Sequence, residues 1–294
     1  MRPEPAVVDA MFEQHGVRGP WEVLPATGLA NHIFATRDVV LRVATDHRDG
    51  ISDARTESVA APVARAAGIL TPGLIAFDDT RTLVDRPFSL WERVHGETLG
   101  LADLSDFATT RVWRGVGREF ARLHVRVRDC PDPNDYLDEP ARQYDLRRAL
   151  RRLVETGMLD IDTATRVEEL ATALGSRAAE PLGRRFIHDD VSPMNVMCTT
   201  AGELLAIIDW GDAGWGDPSL DFAAMPLSAV PAALAGHEEE APGLLGTCPQ
   251  ARVTLHKLID IVDDLFDTPG PTLDLEALRQ LCNHSIPRTA GADR

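Results

Sequence analysis

The chain has 294 residues and a net charge of −16, and this acidic balance argues against nucleic acid as a partner, because phosphate backbones are bound by clustered cations. Its length suits one large domain or two lobes, and a hydrophobic fraction of 44% excludes a globally disordered chain. The only lysine, Lys257, lacks the neighbouring glycine and hydroxyl residue of a P-loop, so that class of nucleotide site is excluded.

Strands dominate the predicted structure of the first ninety residues. Apolar runs at residues 32–35 and 39–43 flank a short polar turn, which predicts a hairpin. A helix is predicted over about residues 52–67, with Ser52 as its N-cap. Pro62 predicts a kink or break near residues 58–61, because a proline clashes with the carbonyl four residues earlier. Residues 74–77 and 88–94 predict two further strands.

After Gly96 the pattern becomes helical. One predicted helix has apolar residues at spacings of three and four, namely Trp113, Val116, Phe120, Leu123 and Val127. Further helices are predicted near residues 143–155, 163–177, 252–266 and 273–282, and a strand-rich segment over residues 186–210 interrupts them. The sequence therefore predicts an α+β protein with a small β-rich lobe at residues 1–94, a connector near residues 91–96, and a larger helical lobe at residues 95–294.

Targeting and membrane signals are weak in this sequence. The first residues lack the apolar core of a signal peptide, and Pro226 and Pro231 interrupt the most apolar stretch, around residues 223–236. The four cysteines are widely spaced and form no metal-binding pair motif. We therefore expect a cytoplasmic protein without a membrane partner.

Residues 199–203 form a turn-like break between two apolar runs, which predicts an antiparallel hairpin. With the turn centred on Gly202, Asn195 and Asp209 lie opposite each other, where facing Cβ atoms are about 4.5–5.5 Å apart. Amide and carboxylate oxygens are ligands of Mg²⁺, so one ion can contact both side chains. Asp190 lies on the loop before them and is a candidate general base. Together the three residues suit phosphoryl transfer.

Three motifs follow one another in this region: His188-x-Asp190-x-x-x-x-Asn195, Ile208-Asp209-Trp210, and Gly216-Asp217-Pro218-x-x-Asp221. Their order and spacing closely resemble the aminoglycoside phosphotransferase and choline kinase group. This resemblance implies a two-lobed, protein-kinase-like fold, with ATP and Mg²⁺ as cofactors.

The same resemblance implies a role for each of these residues. Asp190 would be the catalytic base, and Asn195 and Asp209 would be the magnesium ligands. Asp221 would be a structural acceptor that braces the catalytic loop, and His188 would keep the shape of that loop. Asp189 stands where this family commonly has glycine, and we expect its side chain to point away from the site.

Upstream segments resemble the nucleotide-binding parts of the family. Gly28 and Asn31 lie in a segment similar to the loop that covers the phosphates. Arg42 occupies the third-strand position where kinases carry a phosphate-pairing lysine, and Arg can grip phosphate in a bidentate manner. Glu57 matches the helix glutamate that pairs with that cation.

Residues 91–94 resemble the hinge between the lobes of a kinase. The resemblance implies that adenine binds there to backbone groups, the carbonyl of Glu92 and the amide of Val94. The segment that ends at His124 resembles the helix before the catalytic loop, and we interpret His124 as a packing residue.

The acceptor is less clear from the sequence. Acidic residues on the predicted helix 252–266 and at positions 238–240 suit a cationic acceptor, although a solvated acidic surface explains them equally. We therefore predict an ATP- and Mg²⁺-dependent phosphotransferase, a resistance kinase acting on a hydroxyl of an aminoglycoside-type or other cationic antibiotic.

Three alternatives stay open. One is a metabolic kinase of choline, ethanolamine, homoserine or a sugar. Another is a non-catalytic, nucleotide-binding pseudokinase, which the missing third-strand lysine favours. A metal-dependent phosphohydrolase that uses His188 and Asp189 is disfavoured, because this pair leads into a strand hairpin rather than a helical ligand cluster.

Overall fold

Five antiparallel strands form the main sheet of the computed structural model, which describes residues 2–25, 30–47, 49–137 and 144–267. The strand order in space is β1-β2-β3-β5-β4. The predicted hairpin is confirmed, because β2 and β3 pair in regular register with Ala35 opposite Val40. The strands are β1 Glu22–Leu24, β2 Asn31–Ala35, β3 Val39–Ala44, β4 Leu74–Asp78 and β5 Phe88–Glu92.

Helix α1 (Pro5–Gln14) packs its apolar residues against this sheet. Val8 and Met11 are fully buried on the helix, and Leu41 and Leu90 are fully buried on the strands. The face of the sheet that α1 covers therefore has its own core, and Arg42, the polar residue of β3, lies on the opposite face.

Helix α2 (Gly50–Ala66) differs from the prediction in two respects. The residue at its N-cap is Asp49, and Ser52 lies inside the first turn, where its hydroxyl donates to the Asp49 carbonyl at 2.9 Å. The helix also continues through Pro62, so of the predicted kink or break the break is wrong, and the kink stays a prediction. A proline removes one backbone hydrogen bond, and the buried alanines on either side, Ala60, Ala61 and Ala64, hold the helix in place.

The long helix α3 (Asp106–Arg126) begins at Ser105, whose hydroxyl accepts a hydrogen bond from the Ala108 amide. Its predicted apolar face is confirmed, since the five spaced residues are all buried. Two short sheets flank α3 in the sequence, with strands β6 Glu97–Thr98, β7 Arg185–Ile187, β8 Val196–Cys198, β9 Leu204–Ile207 and β10 Gly214–Gly216. Strand β8 lies between β6 and β9, and β7 pairs with β10.

The chain divides into two compact units, Met1–Pro140 with Gly183–Pro242, and Ala141–Leu182 with Gly243–Arg294. The second unit contains α4 (Leu146–Glu155), α5 (Ile161–Arg177) and α7 (Pro249–Asp267), as predicted to within a few residues. These helices share one core, in which Val167, Leu258 and Val262 are fully buried. The predicted helix 273–282 lies outside the described residues, and a lobe boundary at residue 94 stays a prediction.

The first unit contains the remaining helix, α6 (Val230–Glu240), which packs along α3 at very short range. A Cβ atom on Gly117 would overlap the carbonyl oxygen of Ala233, and one on Gly236 would overlap that of Arg114. The two backbones therefore touch, and only glycine fits at these two points. In the part of the chain that the structure describes, no helix is both long and apolar enough to span a membrane.

Candidate active site

A cavity of about 510 Å³ lies in the first unit, against the face of the main sheet that carries Arg42. Apolar side chains from three strands line much of it, including Ile33, Val40 and Trp91. Its lining also contains six of the residues that the sequence predicts for the site: Arg42, Glu57, Glu92, Val94, Asn195 and Asp209. Elements far apart in sequence therefore bring most of the predicted site together in one place.

Arg42 links two carboxylates at this cavity. From β3 its guanidinium donates to Oε1 of Glu57 on α2 at 2.6 Å and to Oδ1 of Asp209 at 2.6 Å. The pairing of Arg42 with Glu57 that the sequence predicts is therefore present, in spite of Pro62. The Arg42 and Glu57 side chains are buried, whereas that of Asp209 is 42% exposed. One cation thus holds two acids at the edge of the cavity.

Burial and charge act against each other in this cluster. Burial acts to raise the pKa of Asp209, but the charge and hydrogen bond of Arg42 outweigh it, so the pKa lies below its usual value. Burial raises the pKa of Glu57 to about 7, against the opposing effect of Arg42. The pKa of Arg42 is raised, because the two carboxylates outweigh its burial. Asp209 is therefore the member of the cluster that keeps its negative charge at neutral pH.

The hairpin that carries Asn195 and Asp209 has a different register from the predicted one. Val196 pairs with Ile207, and the Ile208 amide donates to the Asn195 carbonyl, so Asn195 faces Ile208 rather than Asp209. The turn is centred on Ala201 rather than Gly202, because the Thr199 amide donates to the Glu203 carbonyl, and a bulge at Leu205 in β9 then shifts the pairing by one residue toward the predicted register. The predicted direct opposition is therefore wrong, although both side chains line the same cavity.

Asn195 lies in a short 3-10 turn (Pro193–Asn195) and contacts Asp190 directly. Its side-chain amide donates to the Asp190 carbonyl at 2.9 Å and to Oδ2 of Asp190 at 2.8 Å. Burial raises the pKa of Asp190, and although His188 and this hydrogen bond oppose the effect, the charge of Asp209 adds to it. A raised carboxyl pKa favours proton acceptance, which is the property needed in a general base.

The loop that carries Asp190 is braced from below by Asp221, which is fully buried. Oδ1 of Asp221 accepts hydrogen bonds from the backbone amides of His188 at 2.7 Å and Asp189 at 2.9 Å. Nδ1 of His188 accepts from the Asp190 amide at 3.3 Å, and its Nε2 lies 3.0 Å from the Ile208 carbonyl. The bracing contact expected of Asp221 and the loop-shaping contacts expected of His188 are therefore present.

Asp189, the departure from the family pattern, has a positive φ of 67°. This left-handed conformation is accessible to Asp, Asn and Gly more readily than to other residues. The residue is exposed and is not part of the cavity lining. Aspartate therefore replaces glycine here at a position where the backbone conformation matters more than the side chain.

Two buried histidines belong to this region and were not assigned to it from the sequence. Nε2 of His124 lies 2.8 Å from Oδ2 of Asp221, and Nδ1 of His124 lies 3.1 Å from Nε2 of His237. The sequence predicts a packing role for His124. The structure shows that its ring also has two buried polar partners. His237 lies 113 residues away in the chain, and no local pattern marks it.

Of the remaining predicted residues, two line the cavity, one does not, and one lies outside the described residues. Gly28 falls in residues 26–29, outside the described part of the chain. Asn31 is buried at the start of β2, opposite Ala44, and is not among the cavity-lining residues. Glu92 and Val94 line the cavity at the end of β5, and the Glu92 carboxylate also pairs with Arg65 at 2.8 Å.

Asn195 and Asp209 provide the hard oxygen atoms that suit Mg²⁺. Because the amide nitrogen of Asn195 is used by Asp190, the amide oxygen is the atom that remains for a cation. Within the described ranges, no three His, Cys, Asp or Glu side chains converge into a complete metal cage. A pair of protein ligands fits Mg²⁺, which usually takes one or two from the protein and the rest from phosphates and water.

Two acids expected near the acceptor are neutralised by arginines instead. Glu239 on α6 pairs with Arg114 and Arg118, and Glu240 pairs with Arg122 at 2.8 Å. These contacts form a ladder between α3 and α6. The suggestion that Glu239 and Glu240 add free negative charge for a cationic acceptor is therefore corrected.

Comparison with known proteins adds independent information. The sequence profile described as the phosphotransferase enzyme family matches residues 27–247. A search of curated protein sequences returns no match.

Solved structures similar to this one share its fold at low sequence identity. The GDP complex of wild-type aminoglycoside 2'-phosphotransferase-IIIa has 18% identity and a TM-score of 0.68, and the match covers 96% of this chain and 98% of that one. The ternary complex of APH(2")-IIa with streptomycin and ATP has 15% identity and a TM-score of 0.65, with 96% and 97% covered. A choline/ethanolamine kinase family protein from Mesorhizobium loti has 22% identity and a TM-score of 0.61, with 95% and 94% covered.

Proposed function

We propose, from the premise that the chain belongs to the phosphotransferase enzyme family, that it transfers the γ-phosphoryl group of ATP to a hydroxyl of a small molecule in a Mg²⁺-dependent reaction. The observation that carries this proposal is the contact between Asp190 and Asn195 beside a cavity that Asn195 and Asp209 both line. Two hard oxygen ligands that line one cavity, one of them in contact with a candidate base, are the parts that phosphoryl transfer needs.

Each part of this site has a separate task in the reaction. Asp190 accepts the proton of the acceptor hydroxyl, whose oxygen attacks the γ-phosphorus as the bond to the leaving diphosphate breaks. Asn195 and Asp209 would hold Mg²⁺, which when bound neutralises charge on the phosphates. The apolar lining between Ile33 and Trp91 would take the base of the nucleotide, next to the backbone of Glu92 and Val94.

Arg42 supports these tasks by fixing Asp209. Its two hydrogen bonds tie β3 to α2 and to the end of β9, so the carboxylate that would bind Mg²⁺ is held in place. We infer that Arg42 takes over the role of the third-strand lysine, which makes the pseudokinase alternative less favourable.

The acceptor we favour is an aminoglycoside-type or other cationic antibiotic, which would make the protein a cytoplasmic resistance kinase. Two features support this choice. Similar structures contain kanamycin or streptomycin, and a net charge of −16 attracts cationic molecules. The likeness to a choline/ethanolamine kinase family protein supports a second candidate, a metabolic kinase of a small amino alcohol.

The proposal is tested by incubating the protein with Mg-ATP or Mg-GTP and a panel of acceptors, and by following phosphate transfer by mass spectrometry. The panel contains aminoglycosides, choline, ethanolamine, homoserine and simple sugars. We expect one class of acceptor to gain a phosphoryl group. Transfer to none of them, under conditions where the nucleotide binds, would favour the pseudokinase alternative.

Neighbouring aspartates provide a matched pair of variants for the same assay. Asp190→Asn should lower kcat by about 10²–10⁴-fold, the usual contribution of a general base, with little change in nucleotide affinity. Asp189→Asn keeps the residue type that tolerates a positive φ and should retain activity. Equal losses in the two variants, or a fully active Asp190→Asn, would show that Asp190 is not the base.

A further inference from the structure

Three fully buried polar side chains form a continuous chain beneath the catalytic loop. His237 on α6 contacts His124 on α3, and His124 contacts Asp221 in the short turn Leu220–Phe222. All three have no exposed surface. Buried polar groups are costly unless they are hydrogen-bonded, so this arrangement must satisfy its own donors and acceptors.

The chemistry of the rings permits one low-energy pattern of protons. Asp221 is an acceptor, so Nε2 of His124 carries the proton that it donates. Nδ1 of a neutral His124 is then an acceptor, and Nε2 of His237 must donate to it. Nδ1 of His237 has no hydrogen-bond partner among the described residues. If this Nδ1 carries no proton, it is an acceptor, and no buried N–H is left without a partner.

A reversed pattern is unfavourable. If His124 carried both protons, His237 would accept through Nε2, and its Nδ1–H would be a buried donor without a partner. If His124 carried only the Nδ1 proton, its Nε2 lone pair would face the Asp221 carboxylate. The donor supplied by His237 therefore favours the ring form of His124 that Asp221 needs.

The chain continues from Asp221 to the reacting region. Oδ1 of Asp221 holds the amides of His188 and Asp189, and His188 in turn holds the amide of Asp190. We propose that His237 and His124 are positioning residues, which fix Asp221 in the orientation that places Asp190 for catalysis. This inference rests on the proposed function for its kinetic consequence, whereas the hydrogen-bond chain itself does not.

The surroundings keep His237 in the required neutral form. Burial, together with the neighbouring His124, lowers the pKa of His237 to about 3. The rings of Phe120 and Phe222 pack against the two histidines, with centroids 6.2 Å from His124 and 5.7 Å from His237. These aromatic rings make the surroundings of the two fully buried histidines largely apolar.

The experiment compares two substitutions of His237 in the full chain. His237→Leu removes the donor at similar size, and His237→Gln keeps an N–H that can reach His124. We expect His237→Leu to lower kcat on the order of tenfold without a change in the KM for nucleotide, the scale of one buried polar group left without its partner. His237→Gln should restore most of kcat. Leu234→Ala, a buried apolar substitution on the same helix, should lower stability and leave kcat unchanged.

A second measurement needs no substrate, so it separates this inference from the proposed function. Ring ¹⁵N shifts of His124 should show protonated Nε2 in the wild type and in His237→Gln, and a mixture of ring forms in His237→Leu. Amide exchange at His188 and Asp189 should be faster in His237→Leu alone. The inference is overturned if His237→Leu and Leu234→Ala behave alike in kcat and exchange, or if His124 keeps one ring form in every variant. If the wild type transfers no phosphate but the ring forms respond as expected, the proposed function fails and the positioning chain stands.

Discussion

The ion cluster at the cavity contains Arg42, Glu57 and Asp209, and the hydrogen-bond chain beneath the loop contains Asp221, His124 and His237. The two groups differ in how far their carboxylates are exposed. At the cavity, Arg42 meets two carboxylates, and the Asp209 side chain remains 42% exposed. Beneath the loop, Asp221 is fully buried, and its partners are two backbone amides and one imidazole. In the first region the Asp209 carboxylate is exposed at the cavity, where a ligand can contact it. In the second region the Asp221 carboxylate is buried, where a ligand cannot contact it.

This difference predicts which property, ligand affinity or stability, a substitution in each region should change. Groups that keep a charge at a cavity act on ligand affinity, because their partner is partly supplied by the ligand. Groups that are satisfied entirely within the protein act on stability and on the placement of the loop. The two regions meet at the segment from His188 to Asp190. Substitutions in each region can therefore show which one acts on ligand affinity and which one acts on stability and loop placement.

The largest effect is expected where the buried chain is cut. Asp221→Ala removes the acceptor of two buried donors and of the partly buried Asp189 amide. Each buried donor costs about 1–3 kcal/mol when left unsatisfied, so the free energy of unfolding should fall by at least about 2 kcal/mol. Urea unfolding measures this loss. Asp189→Asn, an exposed neighbour, serves as the control, and a wild-type stability for Asp221→Ala would break the contrast between the two regions.

A smaller effect, of a different kind, is expected at the cavity. Asp209→Asn removes the charge that we propose for Mg²⁺ binding, at a φ of 67°, which Asn tolerates. It should weaken Mg²⁺-dependent nucleotide binding by at least about tenfold, measured by calorimetry with and without Mg²⁺. The free energy of unfolding should fall by about 1 kcal/mol or less, because the Asp209 side chain is 42% exposed, which allows solvent to screen its charge, and because Arg42 keeps Glu57 as a partner. Unchanged metal dependence would contradict the assignment of Asp209.

The smallest effect is a pH dependence that sharpens the contrast. The pKa of His237 is about 3 in the folded chain and near 6.5 when unfolded, so the unfolded state binds the additional proton between these values. Its contribution to stability is present above about pH 6.5 and is lost as the pH falls. Between about pH 8 and pH 5.5, the wild type should lose about 1 kcal/mol more than His237→Gln in urea unfolding. Equal losses would show that His237 titrates normally.

Much of this architecture follows from local patterns. The hairpin of β2 and β3 and the buried face of α3 are set by alternation and by three-four spacing, which act within a few residues. The family motifs between His188 and Asp221 indicated a segment that contributes Asn195 and Asp209 to the cavity, and they could do so because their spacing is short. Such features are carried by neighbours in the chain, and so they are visible in a single sequence.

The missed features depend on contacts that no local pattern contains. The register of Asn195 against Asp209 differs because the turn is centred on Ala201 rather than Gly202, and a bulge at Leu205 offsets only one residue of that difference. The cap of α2 moved to Asp49, and the buried alanines kept the helix continuous through Pro62. The pairing of His124 with His237 spans 113 residues, and only the packing of α3 on α6 reveals it.

The glycines at the crossing of α3 and α6 have a consequence far from where they lie. His124 and His237 are 3.1 Å apart across these two helices, which leaves only a few tenths of an ångström before a hydrogen bond is lost. A single added methyl group at Gly117 or Gly236 would wedge the helices apart by more than that margin. Gly117 and Gly236 thus set the distance between α3 and α6 that the imidazole pair requires. The hydrogen bond between the two histidines therefore depends on the absence of a Cβ atom at both positions.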